Sequence, residues 1–296
     1  MRALVTGGAG FIGSHLVDAL VARGDEVVVV DDLSTGRREF VNTAATLVEH
    51  DVRAPFETDA DVVFHLAAQA DVGTSMERPG FDAEVNVVGT VNTLEAARAA
   101  GARLVFASTG GAIYGSVDEP AREGSPLLPV SAYGLAKRCA EIYLDGWNRV
   151  FGTRHVTLRF ANVYGPRQSA ALEGGVVAIF LERLGAGEPT TIFGDGSITR
   201  DFVHVDDVVR ALLLAAGHDG GVFNVGTGSE TTIADLHGLC ERAVGVEAPP
   251  SFGPPRAGDA RRSVLDTTLA TSELGFTASV PLAEGIAATH AAERKE

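Results

Sequence analysis

The chain has 296 residues, 45% of them hydrophobic and 21% charged, with a formal net charge of −15. That length supports a large core and suits one big α/β domain, alone or with a smaller companion. The acidic balance disfavours nucleic acid and anionic membrane as partners, since both require a positive field; no apolar run reaches a membrane span, and the opening MRALVTGGAG has no signal-peptide layout, so a cytoplasmic location is expected.

In chain order, RALVT, EVVVVD, TLVE, DVVFHLA, RLVFAS and HVTLRF read as strands, with amphipathic helical segments between several of them. That alternation predicts an α/β fold built on a doubly wound parallel sheet, and near-continuous apolar strands such as EVVVV imply burial on both faces. After NVYGPRQ (162–168) the regularity weakens into a smaller α/β lobe of helices and short strands, including GGVVAIFLERLGAG, TTIADLHGLCERAV and TTLATSELGF. The helix and strand expected in 208–226 point back to the first domain. The expected division is therefore 1–163 for a nucleotide-binding domain, with 205–226 returning to it, and 164–204 plus 227–296 for a substrate lobe. EAPPSFGPPRAGD reads as a proline-rich loop and AERKE as a frayed tail.

Cys139 and Cys240 lack metal-type spacing and are expected to be buried, reduced thiols. The eight histidines include no pair three to five residues apart, so no metal site is expected. Of 24 basic residues only Lys137 and Lys295 are lysines, which makes the lysine at 137 a position to explain.

Gly7, Gly10 and Gly13 stand at three-residue spacing between a strand and a helix. Gly7 permits a tight turn, Gly10 allows backbone to approach a pyrophosphate, and Gly13 allows close helix packing, with the helix N-terminus facing the anion. Asp31 ends the second strand at the spacing where an acid meets the adenosine ribose and repels a 2′-phosphate, so NAD is expected over NADP. Arg37 and Arg38 follow and read as a solvated loop.

SAYGLAK sets Tyr133 and Lys137 four apart, on one face of a helix expected to continue through RCAEIYLDGWNRVF. An ammonium beside a phenol favours the phenolate, so a lowered Tyr133 pKa is expected, making the tyrosine an acid and base.

The glycine turn, Asp31 and this pair resemble the extended short-chain dehydrogenase/reductase superfamily, whose Rossmann-type fold the resemblance implies. Within it, TGGAGFIGSHL, DDLSTG, HLAAQADV, NVVGT, SAYGLAK, LRFANVYGPRQ, GGVVAIF, IFGDGSITRDFVHVDDVVRA and NVGTG most resemble the NAD-dependent UDP-glucose 4-epimerases of bacterial type. The resemblance implies that Phe11, Ile12, Asp32, Ser34, Thr35, Gly36 and Gln69 join the cofactor set. It also implies that Asp51 and Val52 face adenine, that Leu66, Ala67, Ala68 and Asn86 line the cofactor, and that Phe160 lies near the nicotinamide.

ASTGGAIYG (107–115) carries Gly110 and Gly111 where relatives that dehydrate or decarboxylate sugar nucleotides carry an acid. Oxidation at carbon 4 followed by re-reduction requires no such acid. The reaction implied is inversion at carbon 4 of a UDP-hexose through a 4-keto sugar, with Tyr133 moving the hydroxyl proton. Thr109 is assigned the hydrogen bond to the substrate oxygen, with Ser108 as the alternative.

For the substrate, the resemblance implies Arg200 and Arg256 on the diphosphate, where an arginine fork suits phosphate oxygens. It likewise implies Asn162 on the diphosphate and sugar, Gly175 and Val176 near uridine, Phe193 on uracil, and Asp259 on the uridine ribose. Ser263 stands where some relatives place a bulky aromatic, so N-acetylated hexoses are expected to fit. A UDP-uronic acid is the other sugar nucleotide left open, and a non-catalytic dinucleotide sensor is the alternative of another class. The family also implies a homodimer through a four-helix interface. His65, Arg167 and the Asp206–Asp207 pair read as packing, a loop salt bridge and a helix N-terminus.

Overall fold

The structure is a computed structural model that describes residues 1–170, 175–255 and 260–294. Six strands, β1 (Arg2–Thr6), β2 (Glu26–Asp31), β3 (Thr46–Glu49), β4 (Val62–His65), β5 (Arg103–Thr109) and β6 (Val156–Phe160), join the strand Gly221–Val225 in one parallel sheet. The order is 221–225, β6, β5, β4, β1, β2, β3, so the winding reverses between β1 and β4. A ligand crevice opens at such a reversal, beyond the carboxyl ends of the strands.

The apolar runs form a central sheet because both faces are covered, and the period of two sends alternate residues to opposite layers. Val5, Phe64 and Val105 pack with Leu16, Leu20 and Leu212 on one side. Leu4, Val63 and Leu104 pack with Leu94, Ala97 and Leu144 on the other. Beyond the sheet, a third cluster joins Val177, Phe180, Leu181, Leu236, Cys240 and Ile286 from the helices Val176–Gly185, Ile233–Val244 and Leu282–Glu293. Among the described residues no helix is long and apolar enough to cross a membrane.

Three expectations are corrected, those for Ser251–Gly253, Cys139 and the C-terminal tail. Ser251–Gly253, read as loop, forms a short strand parallel to Thr191–Phe193, a pairing made with a distant segment and invisible to local pattern. The segment TTLATSELGF is helical, with a π-turn, Ala270–Leu274, ended by Gly275 at φ 67°. Cys139 is exposed on the outer face of the helix Ala132–Phe151, whereas Cys240 is buried; neither is in a disulfide. The tail expected to fray, 292–296, begins inside the helix Leu282–Glu293, because that helix packs on Ile233–Val244; residues 295 and 296 lie outside the described residues.

His65 and His155 are buried, and burial pushes their pKa values down to about 3 and about 4. His65 is held between the Thr6 and Thr90 hydroxyls at 2.7 and 3.0 Å, and the Leu104 amide donates to His155 Nδ1 at 3.0 Å. Both are neutral in the fold, so below their ordinary value of 6.5 the unfolded chain binds more protons than the native one. Stability present at neutral pH is therefore lost as pH falls, by about 1.4 kcal/mol per pH unit for each histidine. Burial pushes the Asp31, Asp82 and Asp201 carboxyls up, which opposes the loss lower in the window. A melting temperature that drops between pH 7 and pH 5 is the expected result, and a flat profile contradicts it.

Candidate active site

β1 delivers the chain into the turn at Gly7, whose φ of 72° is left-handed backbone. A side chain at Gly7 would also strike the Ala67 backbone at 2.6 Å, so the loop after β4 lies directly against this turn. A Cβ at Gly13 would sit on the Gly7 carbonyl oxygen, which is why the helix Phe11–Ala22 packs so closely on the turn. Gly10 is its N-cap, and a Cβ there would meet a single atom, Gly7 O at 3.3 Å. The remaining space beside Gly10, at a helix N-terminus free of acidic residues, fits a pyrophosphate. Phe11 and Ile12 open that helix.

Asp31 accepts from the Ala9 and Leu33 amides, both at 2.9 Å, and so closes the second strand over the same turn. Burial raises its pKa, and those two amides act against the rise. A side chain at Gly36 would meet Asp31 Oδ1 at 2.8 Å. Asp32 accepts from the Ser34 amide and hydroxyl at 2.9 and 2.6 Å, a local turn that carries Thr35 past Asp31. Arg38 pairs with Glu49 at the end of β3 at 2.8 Å and Arg37 lies over the Phe40 ring, so both have partners close to the loop. Asp51 is chelated by Arg53, with Nη2 at 2.5 Å, and Val52 is buried against Gly89.

Leu66, Ala67 and Ala68 continue from β4; the Leu66 amide donates to Thr6 O at 3.1 Å and the Ala67 amide to Thr6 Oγ1 at 3.2 Å. Gln69 donates to Asp71 O and to Asp82 Oδ1 at 2.8 and 2.9 Å. Asn86 donates to Gln69 O and Asp82 Oδ1 at 2.9 and 3.0 Å, and its own Oδ1 is buried without a partner. Asn86 belongs to a π-turn, Glu84–Val88, a distortion that often marks functional positions.

The helix Ala132–Phe151 begins at Ser131, whose hydroxyl accepts from the Gly134 amide at 3.1 Å. Its spacing places Tyr133, Lys137 and Glu141 on one stripe against the sheet. Lys137 is 2% exposed; Nζ donates to Ala107 O at 3.0 Å and stands 5.9 Å from the Tyr133 ring centre. Burial lowers its pKa to about 8, with Asp82 and Glu141 acting in the opposite direction.

Here the expected lowering of Tyr133 is corrected. Burial, then Asp82, push the phenol above its ordinary value, and the bond to Thr109 only moderates this. Lys137 does not reverse it: its ammonium donates to the Ala107 carbonyl at 3.0 Å and stands 5.9 Å from the Tyr133 ring centre, and burial dominates. An added positive charge is needed before the phenolate forms near neutral pH.

Thr109 and Phe160 are register partners at the ends of β5 and β6, which brings the Thr109 hydroxyl and the Phe160 ring to the same edge as Tyr133. Thr109 Oγ1 also accepts from the Ala112 amide at 3.1 Å. Ser108 meets the helix of Tyr133 two turns further along: its hydroxyl donates to Glu141 at 2.6 Å, inside a buried cluster with Arg159. Thr109 therefore carries the hydroxyl at the pair, and Ser108 is committed elsewhere. A Cβ at Gly110 would strike Leu265 at 2.6 Å, whereas one at Gly111 would face Asn162 Oδ1 at 3.4 Å and Thr109 Oγ1 at 4.0 Å. Asn162 Oδ1 is buried and unpartnered.

Asn162 donates its amide to Asp201 O, Asp201 in turn donates to Ser263 O, and Arg200 is the register partner of Ser263. Asn162, Arg200 and buried Ser263 thus form a connected group, although Arg200 Nη1 also donates to the Thr199 and Ala260 carbonyls. Gly175 and Val176 open the helix Val176–Gly185, and Phe193 ends a strand beside Gly253; these stand on separate elements outside the large sheet. Arg256 and Asp259 lie outside the described residues. His65 is packing, Arg167 pairs with Asp18 at 2.9 Å, and Asp206 and Asp207 occupy the first turn of the helix Val205–Ala215. Sequence reading missed Asp82; an acid one helical turn before Asn86 was the available signal.

A glycine turn at the reversal point of a doubly wound sheet, with a tyrosine and lysine on an adjoining helix, defines the class: an α/β protein with nucleotide-binding topology and a Tyr–Lys pair. The model of the NAD dependent epimerase/dehydratase family matches residues 3–226, and the chain belongs to that family. It is 50% identical to the UDP-glucose 4-epimerase of Mycolicibacterium smegmatis, over 98% of this chain and 97% of the relative. Its fold is similar to that of the Thermotoga maritima UDP-glucose 4-epimerase solved with UDP-glucose, with a TM-score of 0.96 at 45% identity, covering 100% of this chain and 99% of the other. The Thermus thermophilus UDP-glucose 4-epimerase, solved with NAD, aligns with a TM-score of 0.92 at 43% identity over 99% of both chains.

Proposed function

We propose that the protein interconverts UDP-glucose and UDP-galactose by inverting carbon 4, with NAD retained as its cofactor. The observation that carries this reading is Thr109 bonded to Tyr133 beside Lys137, in a turn where Gly111 faces the site and no acid is present. The open space at Gly10, the helix N-terminus and Asp31 are the groups that hold a dinucleotide. When bound, NAD supplies the hydride acceptor and donor and a positive charge that favours the phenolate. Tyr133 takes the proton of the 4-hydroxyl and later returns it, and Thr109 holds the same oxygen. Asn162 Oδ1, a buried acceptor with no partner, receives a sugar hydroxyl. The two half-reactions cancel, so no net oxidation accumulates.

We assign residues 1–163 and 205–226 to the nucleotide domain and 164–204 and 227–296 to the sugar-nucleotide lobe, a division favoured by the strand Gly221–Val225 completing the large sheet. Arg200, Asn162 and Ser263 are the described lobe residues we assign to the substrate. A homodimer is also part of this reading. Leu135, Ile142 and Val150 are more than half exposed at seven- and eight-residue spacing along the helix Ala132–Phe151, and a groove of about 360 Å³ beside Met76 and Leu135 continues that apolar face.

The test is a substrate panel: UDP-galactose, UDP-N-acetylgalactosamine and UDP-galacturonic acid incubated in parallel and resolved by chromatography. The highest kcat/KM is expected for UDP-galactose. A preference for the uronic acid would overturn this assignment of the sugar.

A further inference from the structure

The Tyr133–Lys137 pair shares its interior with a carboxylate that the reaction as described leaves unused. Asp82, on the helix Pro79–Ala83, is 1% exposed. Its Oδ1 accepts from Gln69 Nε2 and Asn86 Nδ2 at 2.9 and 3.0 Å, while Oδ2 is buried with no partner. The helix packs against Ala132–Phe151, the element that carries the pair. Two neutral amides do not neutralise a buried anion, and such a group needs a cation within reach.

The charges around it are few. Lys137 is the cation whose field reaches Asp82. On the neighbouring turns, Arg78 lies over the Phe81 ring and Glu84 pairs with Arg53, both at the surface. Facing Lys137 from its own helix is Glu141, bonded to Arg159 of β6; from β4 comes His65, neutral between two threonines. Glu141 already has a full counter-charge in Arg159, which leaves Asp82 as the anion without one.

We propose that Asp82 is a positioning residue of the epimerisation site, whose buried carboxylate keeps Lys137 in its ammonium form beside Tyr133. This rests on the role assigned above to the pair. Gln69 and Asn86 aim the carboxylate, and they also tie it to the loop that lies against the glycine turn. The protonation of the pair is thereby linked to the geometry of the cofactor side of the crevice.

The chain's two lysines make a direct measurement possible. Lysine labelled with carbon-13 at Cε gives one resonance from Lys137 in a Lys295→Arg background, and its chemical shift is followed against pH. The titration midpoint is expected near 8 in that parent protein. In Asp82→Asn, which can accept the same two hydrogen bonds without the charge, the midpoint falls by about one pH unit. Asp82→Glu, which retains the charge, brings it back toward the parent value. If the Asn variant does not fold, Asp82→Ser is read in the same way. A midpoint unchanged by loss of the carboxylate overturns the proposal. Turnover of UDP-sugars by the wild-type protein is scored separately, so an inactive enzyme would overturn the functional reading while the lysine titration still decides the role of Asp82.

Discussion

Replacing Tyr133 with Phe lowers turnover by about 10²- to 10⁴-fold while NAD remains bound. The substitution removes one oxygen and leaves the ring beside Lys137, so the helix Ala132–Phe151 and its Ser131 cap are undisturbed. What disappears is the hydroxyl that bonds to Thr109, to which we assign the transfer of the 4-hydroxyl proton. NAD contacts are assigned to the glycine turn, Asp31 and the loop after β4, so cofactor released on denaturation should match the wild type. Turnover with UDP-galactose and the released NAD are measured on one preparation. Persistent turnover in the Phe variant would mean that another group is the acid and base.

Replacing Glu141 with Ala destabilises the fold by about 3–5 kcal/mol. Arg159 donates to Glu141 at 2.9 and 2.6 Å through Nε and Nη2, and the two side chains are only 5% and 8% exposed. The same carboxylate accepts from Ser108 at 2.6 Å. Without it, the Arg159 charge is left buried, with only Tyr114 Oη and Glu123 O to accept its hydrogen bonds. Urea denaturation measures the loss. Arg159→Met in the same chain removes the stranded charge and is expected to restore part of the stability; a single variant within about 1 kcal/mol of wild type would contradict the account.

These two residues differ in how far the sequence exposes them. Tyr133 and Lys137 are legible because helical spacing places them on one face, and the glycine triplet because turn, helix start and strand end adjoin in the chain. Glu141 lies on the same stripe, but its partner Arg159 comes from β6 and is paired only once the sheet is assembled. The direction of the Tyr133 shift is not legible in the sequence for the same reason. Spacing brings a lysine near a phenol, but it does not reveal that the ammonium is bonded to Ala107 O or that Asp82 lies close by. Ser108 and Thr109 are adjacent at the end of β5 and both meet the helix Ala132–Phe151, Ser108 at Glu141 and Thr109 at Tyr133; which hydroxyl reaches the pair is set by how that helix lies on the assembled sheet. The strand at 251–253 depends wholly on a non-local partner.

Proton NMR of UDP-galactose in deuterated buffer, with the protein as purified and no NAD added, tests the central claim most directly. The account predicts conversion to UDP-glucose with hydrogen, not deuterium, at carbon 4, because the hydride taken from the sugar is returned to it. Deuterium at carbon 4, or no conversion by a preparation that contains bound NAD, would contradict it.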